Sequence, residues 1–389
     1  MRVCRLLLCS PLILPSLSAC GLFDFFTPDD GPRANKLLWR FDAVLNGRPA
    51  TDGGRVFITT RDHRVIALDA NTGVERWSAR SDSGAAESAQ TLAGCSIGGA
   101  VVACGDNGDI VAFDRITGKF AWRFHPAVGR RVDVDPFIAR DSTFYTGSRE
   151  GAAVHAIDVK TGAERWFARV PGLEPSGIVR NPDADADLVV AAYFRSGKPT
   201  TGGVVGIEPL TGKVLWTTEL PRILPDSDSS GGYAALAGDL VVASSNSGRI
   251  FGLDRQSGEV LWNVPGVERD QPGVVPRPIV FDYRPLVVVG SRLYASSMYG
   301  WLIAYDLRLH TELWRSGPGK DVGDGNGLPI SSDGEAIYVT YLSGAVVTFA
   351  ASDGAVRSIA NKTDLLFSIA LGSDRFFAPG DHGLWAYAK

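Results

Sequence analysis

The chain lacks the short motifs of the common hydrolases and nucleotide-binding enzymes. It has no Gly-x-Ser-x-Gly, no phosphate-binding loop and no His-Glu-x-x-His. Histidine is scarce, and the few histidines never stand at metal-ligand spacing with cysteines or carboxylates. We interpret them as turn and surface residues, so the sequence predicts neither a catalytic residue nor a metal site. The five histidines are His63, His125, His155, His310 and His382.

Clustered positive charge is also missing. No basic patch with interleaved aromatic residues stands out among 39 basic and 43 acidic side chains, so nothing points to a nucleic acid partner. Long apolar runs are absent apart from residues 6–17, which Pro11 and Pro15 interrupt. Because a membrane-spanning helix needs about 20 apolar residues, this run is too short to span a bilayer.

The same run follows the basic segment 1–5, an order typical of a secretory signal peptide. It ends in Leu17-Ser18-Ala19-Cys20-Gly21, which resembles the lipobox of bacterial lipoproteins. We therefore predict a signal peptide over residues 1–19, a lipidated Cys20 and a flexible tether over residues 20–34. An ordinary signal peptide with a chance cysteine is the alternative. The Gly after the cysteine implies, by the same resemblance, sorting to the outer membrane.

Cysteine is sparse as well. Removal of the signal peptide leaves Cys20, Cys95 and Cys104. If Cys20 is acylated, the other two remain as a pair in an oxidising compartment, on two strands that flank residues 97–100. A disulfide forms there if the strand register brings their Cα atoms within reach, and two buried free thiols are the alternative.

One phrase repeats along the chain, most fully as Ala67-Leu68-Asp69-Ala70-Asn71-Thr72-Gly73-Val74-Glu75-Arg76-Trp77. Gly follows the acid by four positions and Trp follows it by eight. One copy has His310 in the Gly place, and another, around Ala350, has Ser358 in the Trp place. The tryptophans of the phrase are Trp39, Trp77, Trp122, Trp166, Trp216, Trp262 and Trp314.

The phrase has a structural interpretation. Asp, Asn and Thr side chains can cap their own turn, and the Gly can adopt positive φ, which favours a tight hairpin between the third and fourth strands of a unit. The Trp then packs on the neighbouring unit, where its N–H needs a backbone acceptor if it is buried. We expect all seven tryptophans to dock one unit onto the next.

The spacing of the phrase predicts the fold. Successive Trp positions, with Ser358 as the eighth, lie 38 to 52 residues apart, the period of four-stranded propeller blades. Residues 37–41 contain only the Trp half of a unit and residues 383–387 only the first half, so together they make an eighth. We predict an all-β fold over residues 35–389: an eight-bladed β-propeller of four-stranded antiparallel blades, its ring closed by pairing the N- and C-terminal segments. Seven blades is the alternative if the unit around Ala350 is incomplete.

The phrase resembles the tryptophan-docking motif of quinoprotein dehydrogenases, which use pyrroloquinoline quinone and calcium. Those enzymes carry two adjacent cysteines beside the quinone, and this chain has no Cys-Cys. The lipobox, short tether and insertion-free propeller resemble instead the BamB family of outer membrane assembly lipoproteins. That resemblance implies a non-catalytic scaffold without a cofactor, on the periplasmic face of the outer membrane. A propeller lipoprotein that binds another periplasmic protein is a further alternative.

The resemblance also implies where a partner binds. In the BamB family, the loops after the fourth and fifth repeat tryptophans bear on contact with BamA, the barrel-inserting partner. After Trp216, Asp226 and Asp228 match the family's Asp-x-Asp pair, with Leu224 just before it; a turn cap is the alternative role for the acids. After Trp166, Leu173 matches the family motif, although the residues that follow it differ. We expect Leu173 and Leu224 to be exposed apolar anchors.

Overall fold

The structure is a computed structural model, and the residues that it describes form strands and no helix. In this part of the chain there is accordingly no helix that could cross a membrane. The predicted signal peptide, Cys20 and most of the tether lie outside the described residues. Those residues are 32–81, 92–127, 132–148, 151–173, 177–195, 201–221, 231–245, 249–265, 286–296, 300–317, 327–360 and 368–389.

Two short strands come before the first complete sheet. They are β1 (Arg33–Ala34) and β2 (Leu37–Asp42). The next twelve strands form three four-stranded sheets, which we number as blades 1 to 3. Blade 1 comprises β3 (Ala50–Thr51), β4 (Arg55–Thr59), β5 (Arg64–Asp69) and β6 (Glu75–Arg80). Blade 2 comprises β7 (Leu92–Gly98), β8 (Val101–Asp106), β9 (Asp109–Asp114) and β10 (Phe120–Phe124). Blade 3 comprises β11 (Val132–Arg140), β12 (Thr143–Ser148), β13 (Ala153–Asp158) and β14 (Glu164–Arg169).

The remaining strands form blades 4 to 8. Blade 4 comprises β15 (Gly177–Ala184), β16 (Val189–Arg195), β17 (Thr201–Ile207) and β18 (Val214–Glu219). Blade 5 comprises β19 (Gly231–Ala237), β20 (Leu240–Ser245), β21 (Arg249–Asp254) and β22 (Val260–Pro265). Blade 6 comprises β23 (Val287–Val289), β24 (Arg292–Ser296), β25 (Leu302–Asp306) and β26 (Thr311–Ser316). Blade 7 comprises β27 (Gly327–Ser332), β28 (Ala336–Tyr341), β29 (Val346–Ala350) and β30 (Val356–Ala360). Blade 8 begins with β31 (Ala370–Leu371), β32 (Arg375–Gly380) and β33 (Gly383–Ala388).

The blades are arranged in a closed ring. The first strands of neighbouring blades contact one another all the way round, and the circle closes where β31 of blade 8 contacts β3 of blade 1. Blade 8 takes its fourth strand from the other end of the chain, because β2 pairs antiparallel with β33, with Trp39 opposite Ala386. The predicted eight-bladed propeller and its closure by the two termini are therefore confirmed. The alternative of seven blades is wrong, since blade 7 is complete.

The core consists of apolar layers between blades. Side chains alternate along each strand, so one strand serves two layers. In blade 1, Ile66 and Leu68 face Phe377 of blade 8, whereas Phe57 and Ala67 pack in a layer with residues of blade 2. Each blade is thus held by both of its neighbours, and a single blade has no core of its own.

The acid of the repeated phrase caps its hairpin, as predicted. Asp69 Oδ1 accepts hydrogen bonds from the backbone N–H groups of Asn71 and Thr72 and from the Thr72 hydroxyl, at 2.9–3.0 Å. Gly73 follows with φ 71°. The hydrogen bond from Arg76, with those of Thr72 and Asn71, outweighs burial and lowers the pKa of Asp69 to about 2. The hairpin therefore keeps its charged cap throughout the neutral range.

The tryptophan of each phrase contacts the hairpin of the next blade. Six of the seven rings lie directly on the hairpin glycine; a Cβ added at Gly118, for example, would stand 2.6 Å from the Trp77 ring. Five indole N–H groups donate to the backbone carbonyl that follows the hairpin acid, as Trp122 does to Val159 O at 2.9 Å. The ring-on-glycine pairs are Trp39 with Gly73, Trp77 with Gly118, Trp122 with Gly162, Trp166 with Gly212, Trp216 with Gly258 and Trp314 with Gly354.

Two indoles depart from the expected pattern. Trp262 stacks on His310, the residue in the glycine place, with ring centroids 4.6 Å apart, and its N–H has no acceptor among the residues that the structure describes. The N–H of Trp314 also has none. The equivalent carbonyl, Ala351 O, accepts the Tyr294 hydroxyl instead, at 2.9 Å. The expectation of a backbone acceptor therefore fails at these two tryptophans.

The two described cysteines form a disulfide. Cys95 and Cys104 stand directly opposite each other on β7 and β8, with Cα atoms 4.1 Å apart. Sequence alone left a bonded pair and two free thiols open, and the structure contains the bonded pair. Closing a loop this short stabilises the fold by about 2–3 kcal/mol in the chain-entropy model.

The indole hydrogen bonds lead to a testable difference between two junctions. We expect Trp122→Phe to lower the free energy of unfolding by about 1–2 kcal/mol more than Trp262→Phe, because only the first change removes a hydrogen bond and leaves the Val159 carbonyl unpaired. Urea denaturation of both variants measures the difference. Equal losses would contradict the role of the indole N–H.

Candidate functional site

The two faces of the ring carry different connections. Because the strands of a blade alternate in direction, the turns from strand 1 to 2 and the hairpins from strand 3 to 4 share one face, which we name the turn face. The connections from strand 2 to 3 and from one blade to the next share the other, which we name the loop face. The described residues of the predicted partner loops, 170–173 after β14 and 220–221 after β18, start on the loop face. Leu224, Asp226 and Asp228 lie outside the described residues.

Both partner loops begin at a buried apolar residue. Val170 and Leu220 each stand four positions after the tryptophan of their blade and are 0% and 1% exposed. The backbone N–H of Val170 donates to Ala152 O at 2.8 Å, and that of Leu220 donates to Gly202 O at 2.9 Å. The start of each loop is thus tied to the backbone at the beginning of the third strand of its own blade. Sequence reasoning missed these anchors, although their constant distance from the tryptophan was a signal.

The position of Leu173 contradicts the predicted exposure of this residue. We expected an exposed apolar anchor, but its side chain is 5% exposed and packs in the layer between blades 3 and 4. Gly177 lies so close that an added Cβ there would stand 2.7 Å from the Leu173 Cβ, and the Gly177 N–H donates to Leu173 O at 2.9 Å. The expected exposure is therefore wrong. Leu173 packs inside the protein and does not offer its side chain to a partner.

Buried hydroxyl groups form hydrogen bonds with the backbone next to the loop face. The first strands of several blades bulge near this face, and the bulge detaches backbone groups from the sheet. In blade 5, Ser244 Oγ accepts the N–H of Tyr233 at 3.1 Å. In blade 7, the Thr340 hydroxyl donates to Pro329 O at 3.3 Å. A fully buried hydroxyl near the end of the second strand thus compensates for the irregular backbone.

Blade 2 carries a network of charges at the same face. The Asp106 side chain is completely buried and accepts Arg123 Nη1 at 2.8 Å; Asp109 accepts the same nitrogen at 3.2 Å. His125 Nδ1 lies 2.7 Å from Asp109 and its side chain is 73% exposed. One arginine thus contacts both carboxylates of the network. Across the described ranges, no group of three or more His, Cys, Asp or Glu side chains could hold a metal ion.

One histidine, His155, departs from the predicted turn or surface position. We expected turn and surface residues, and His63 and His310 do stand in turns with positive φ. His155 instead is fully buried, with ring centroids 6.0 Å from Phe124 and 6.2 Å from Phe167. Its Nδ1 lies 2.6 Å from a Glu164 carboxylate oxygen. His155 is thus a core residue, and that part of the histidine prediction is wrong.

The burial of Leu173 can be tested by stability. We expect Leu173→Ala to lower the free energy of unfolding by about 2–3 kcal/mol, because it removes buried methyl groups and opens a cavity. The control is Leu210→Ala on blade 4, where the leucine is 87% exposed and the change should stay within about 0.5 kcal/mol. Chemical denaturation measures both. A Leu173 loss no larger than the control would mean that this leucine is exposed after all.

Comparisons with known proteins extend over most of the chain. A family model described as outer membrane protein assembly factor BamB matches residues 31–127 and 106–359. The BamB of Xanthomonas campestris pv. campestris is 28% identical over 239 residues, which cover 59% of this chain and 54% of that protein. The quinohemoprotein alcohol dehydrogenase ADH IIB of Pseudomonas putida is 27% identical over 213 residues, 47% of this chain and 29% of that enzyme. The chain spans less than two thirds of the length of either relative.

A solved structure shares the fold. The BamB of Moraxella catarrhalis superposes with a TM-score of 0.67 over 92% of this chain and all of that one, at 19% sequence identity. At this identity the superposition supports the propeller fold alone. The sequence match of the family model is what assigns the family, because it includes the repeats of blades 1 to 7. The chain belongs to the family of the outer membrane protein assembly factor BamB.

Proposed function

We propose that this protein is a non-catalytic scaffold that assists the assembly of β-barrel proteins in the outer membrane. Membership of the BamB family is the observation that carries the proposal. The architecture supports it, because the repeated phrase acts between blades and leaves the loop face as the part that differs from blade to blade. Loops on a rigid framework are a common place for binding residues.

The partner that this proposal names is BamA, bound through the partner loop after Trp216. Asp226 and Asp228 stand two residues apart, so in an extended segment their carboxylates point to the same side. They can accept Arg or Lys side chains from a partner, and Leu224 adds apolar contact area. Leu220, which anchors the start of this loop, fixes the place on the ring from which these side chains are presented.

The proposal includes a lipid anchor. Cys20 ends a lipobox-like segment, and acyl chains on it would hold the protein at the periplasmic face of the outer membrane. The disulfide between Cys95 and Cys104 agrees with an oxidising compartment of this kind. The anchor and the partner loop thus give the scaffold one attachment to the membrane and one to the assembly machinery.

A quinoprotein dehydrogenase is the second candidate, favoured by the similarity to the alcohol dehydrogenase of Pseudomonas putida. The matched region contains the repeats that the two kinds of propeller share. The sequence lacks the adjacent cysteines that accompany the quinone in such enzymes, and it lacks the long insertions that build their site. A shared fold does not confer the reaction, so we rank the enzyme below the scaffold.

Affinity capture tests the proposal. Tagged full-length protein, recovered from detergent-solubilised outer membranes, should bring BamA with it. Asp226→Ala with Asp228→Ala should reduce that recovery several-fold, because both carboxylates leave the loop.

The control pair is Asp239→Ala with Glu259→Ala, which removes two exposed carboxylates from the turn face of blade 5. Recovery should then be unchanged. If wild-type protein captures no BamA, the proposed partner is wrong; if both pairs behave like wild type, only the loop assignment fails.

A further inference from the structure

The N-terminal segment reaches the ring along the outer edge of blade 7. There β1 adds a fifth strand and pairs parallel with β30, with Arg33 opposite Ser358 and Ala34 opposite Ile359. The Asn35 N–H continues this pairing with a hydrogen bond to Ile359 O at 3.2 Å. The chain therefore joins the propeller at its rim, and at one defined blade.

The same segment also binds blade 8. Asn35 Nδ2 donates to Ala388 O at 2.9 Å, and the Ala388 N–H donates to Lys36 O at 2.9 Å. This is the junction at which Ser358 replaces the docking tryptophan. A tryptophan would have no hairpin to meet here, because the third and fourth strands of blade 8 are the two ends of the chain. The N-terminal segment occupies this rim position instead.

Residues 33–40, which we name the rim strip, combine positive charge with exposed leucine. The strip contains three basic residues and no acidic one, in a chain with a net charge of −4. Leu37 and Leu38 are 47% and 38% exposed, beside the exposed Arg33 and Lys36. Arg40 pairs with Asp42 at 2.6 Å, so Arg33 and Lys36 supply the net charge of the strip. Basic side chains next to exposed leucines suit an anionic lipid surface.

The length of chain before the strip limits its distance from the membrane. Cys20 and Pro32 are 12 positions apart in the sequence. Even a fully extended chain of this length reaches only about 40 Å. A lipid on Cys20, which the proposed function includes, would therefore keep the start of the strip within about 40 Å of the bilayer.

We infer that the rim strip binds the anionic phospholipid surface to which Cys20 is anchored, and so determines which edge of the ring faces the membrane. The inference rests on the proposed lipid anchor and deepens it from a flexible attachment to an oriented one. In a ring of eight, blade 4 stands opposite blade 8. The two partner loops flank blade 4, so this orientation directs them away from the bilayer and toward a periplasmic partner.

Fluorescence quenching on vesicles tests the inference. Lipidated full-length mature protein is labelled at a cysteine introduced by Ala34→Cys in the strip or by Leu210→Cys on blade 4. It is bound to phosphatidylethanolamine vesicles with or without phosphatidylglycerol, which contain a lipid with a nitroxide in its headgroup. We expect several-fold stronger quenching at position 34 than at position 210 when phosphatidylglycerol is present. Arg33→Glu with Lys36→Glu should abolish that difference.

The matched control is Lys160→Glu with Lys213→Glu, which reverses two exposed charges on blades 3 and 4. Quenching at position 34 should not change in this variant. Equal quenching at both labels on vesicle-bound protein would overturn the rim strip and leave the anchor intact. Failure to sediment with the anionic vesicles at all would contradict both the anchor and the strip.

Discussion

The contact between a tryptophan and the hairpin of the next blade is the constraint on which this ring depends. A four-stranded blade has no core of its own, so its apolar faces are buried only when its neighbours are in place. The indole fills the outer end of seven of the eight junctions and requires a hairpin residue with positive φ and, in six of these seven places, without a Cβ. Gly and Trp therefore recur together, whereas the residues between them vary.

This arrangement separates structure from function within each repeat. The phrase occupies the turn face and the outer strands, and the hairpin acids are committed to capping their own turns. At the loop face, buried residues such as Val170 and Leu220 hold the start of each partner loop against its own blade. The only junction without a tryptophan, between blades 7 and 8, is also where the N-terminal segment joins the rim. A propeller built in this way can carry different loops, and under the proposed function bind different partners, without changing its ring.

Local chemistry explains what could be predicted from the sequence. Hairpin capping by Asp69 depends on residues within four positions, and the blade count depends on a period that recurs along the whole chain. Both features could therefore be predicted. Burial of Leu173 depends on Gly177 and Ala152 coming together in space, and burial of His155 depends on rings from two blades. The β1 strand is two residues long and carries no pattern. These features arise from tertiary packing, which a single sequence does not display.

The central claim, that each hairpin glycine exists to receive a tryptophan ring, is tested most directly by a double-mutant cycle on Trp77 and Gly118. Gly118→Ala should cost clearly more stability in the wild type than in a Trp77→Ala background, with a coupling of about 1–3 kcal/mol, because the ring that the new methyl group meets is then gone. Gly238→Ala, which has a similar φ but no neighbour within 4 Å, should cost the same in both backgrounds. A coupling near zero between Trp77 and Gly118, measured by urea denaturation, would contradict the account.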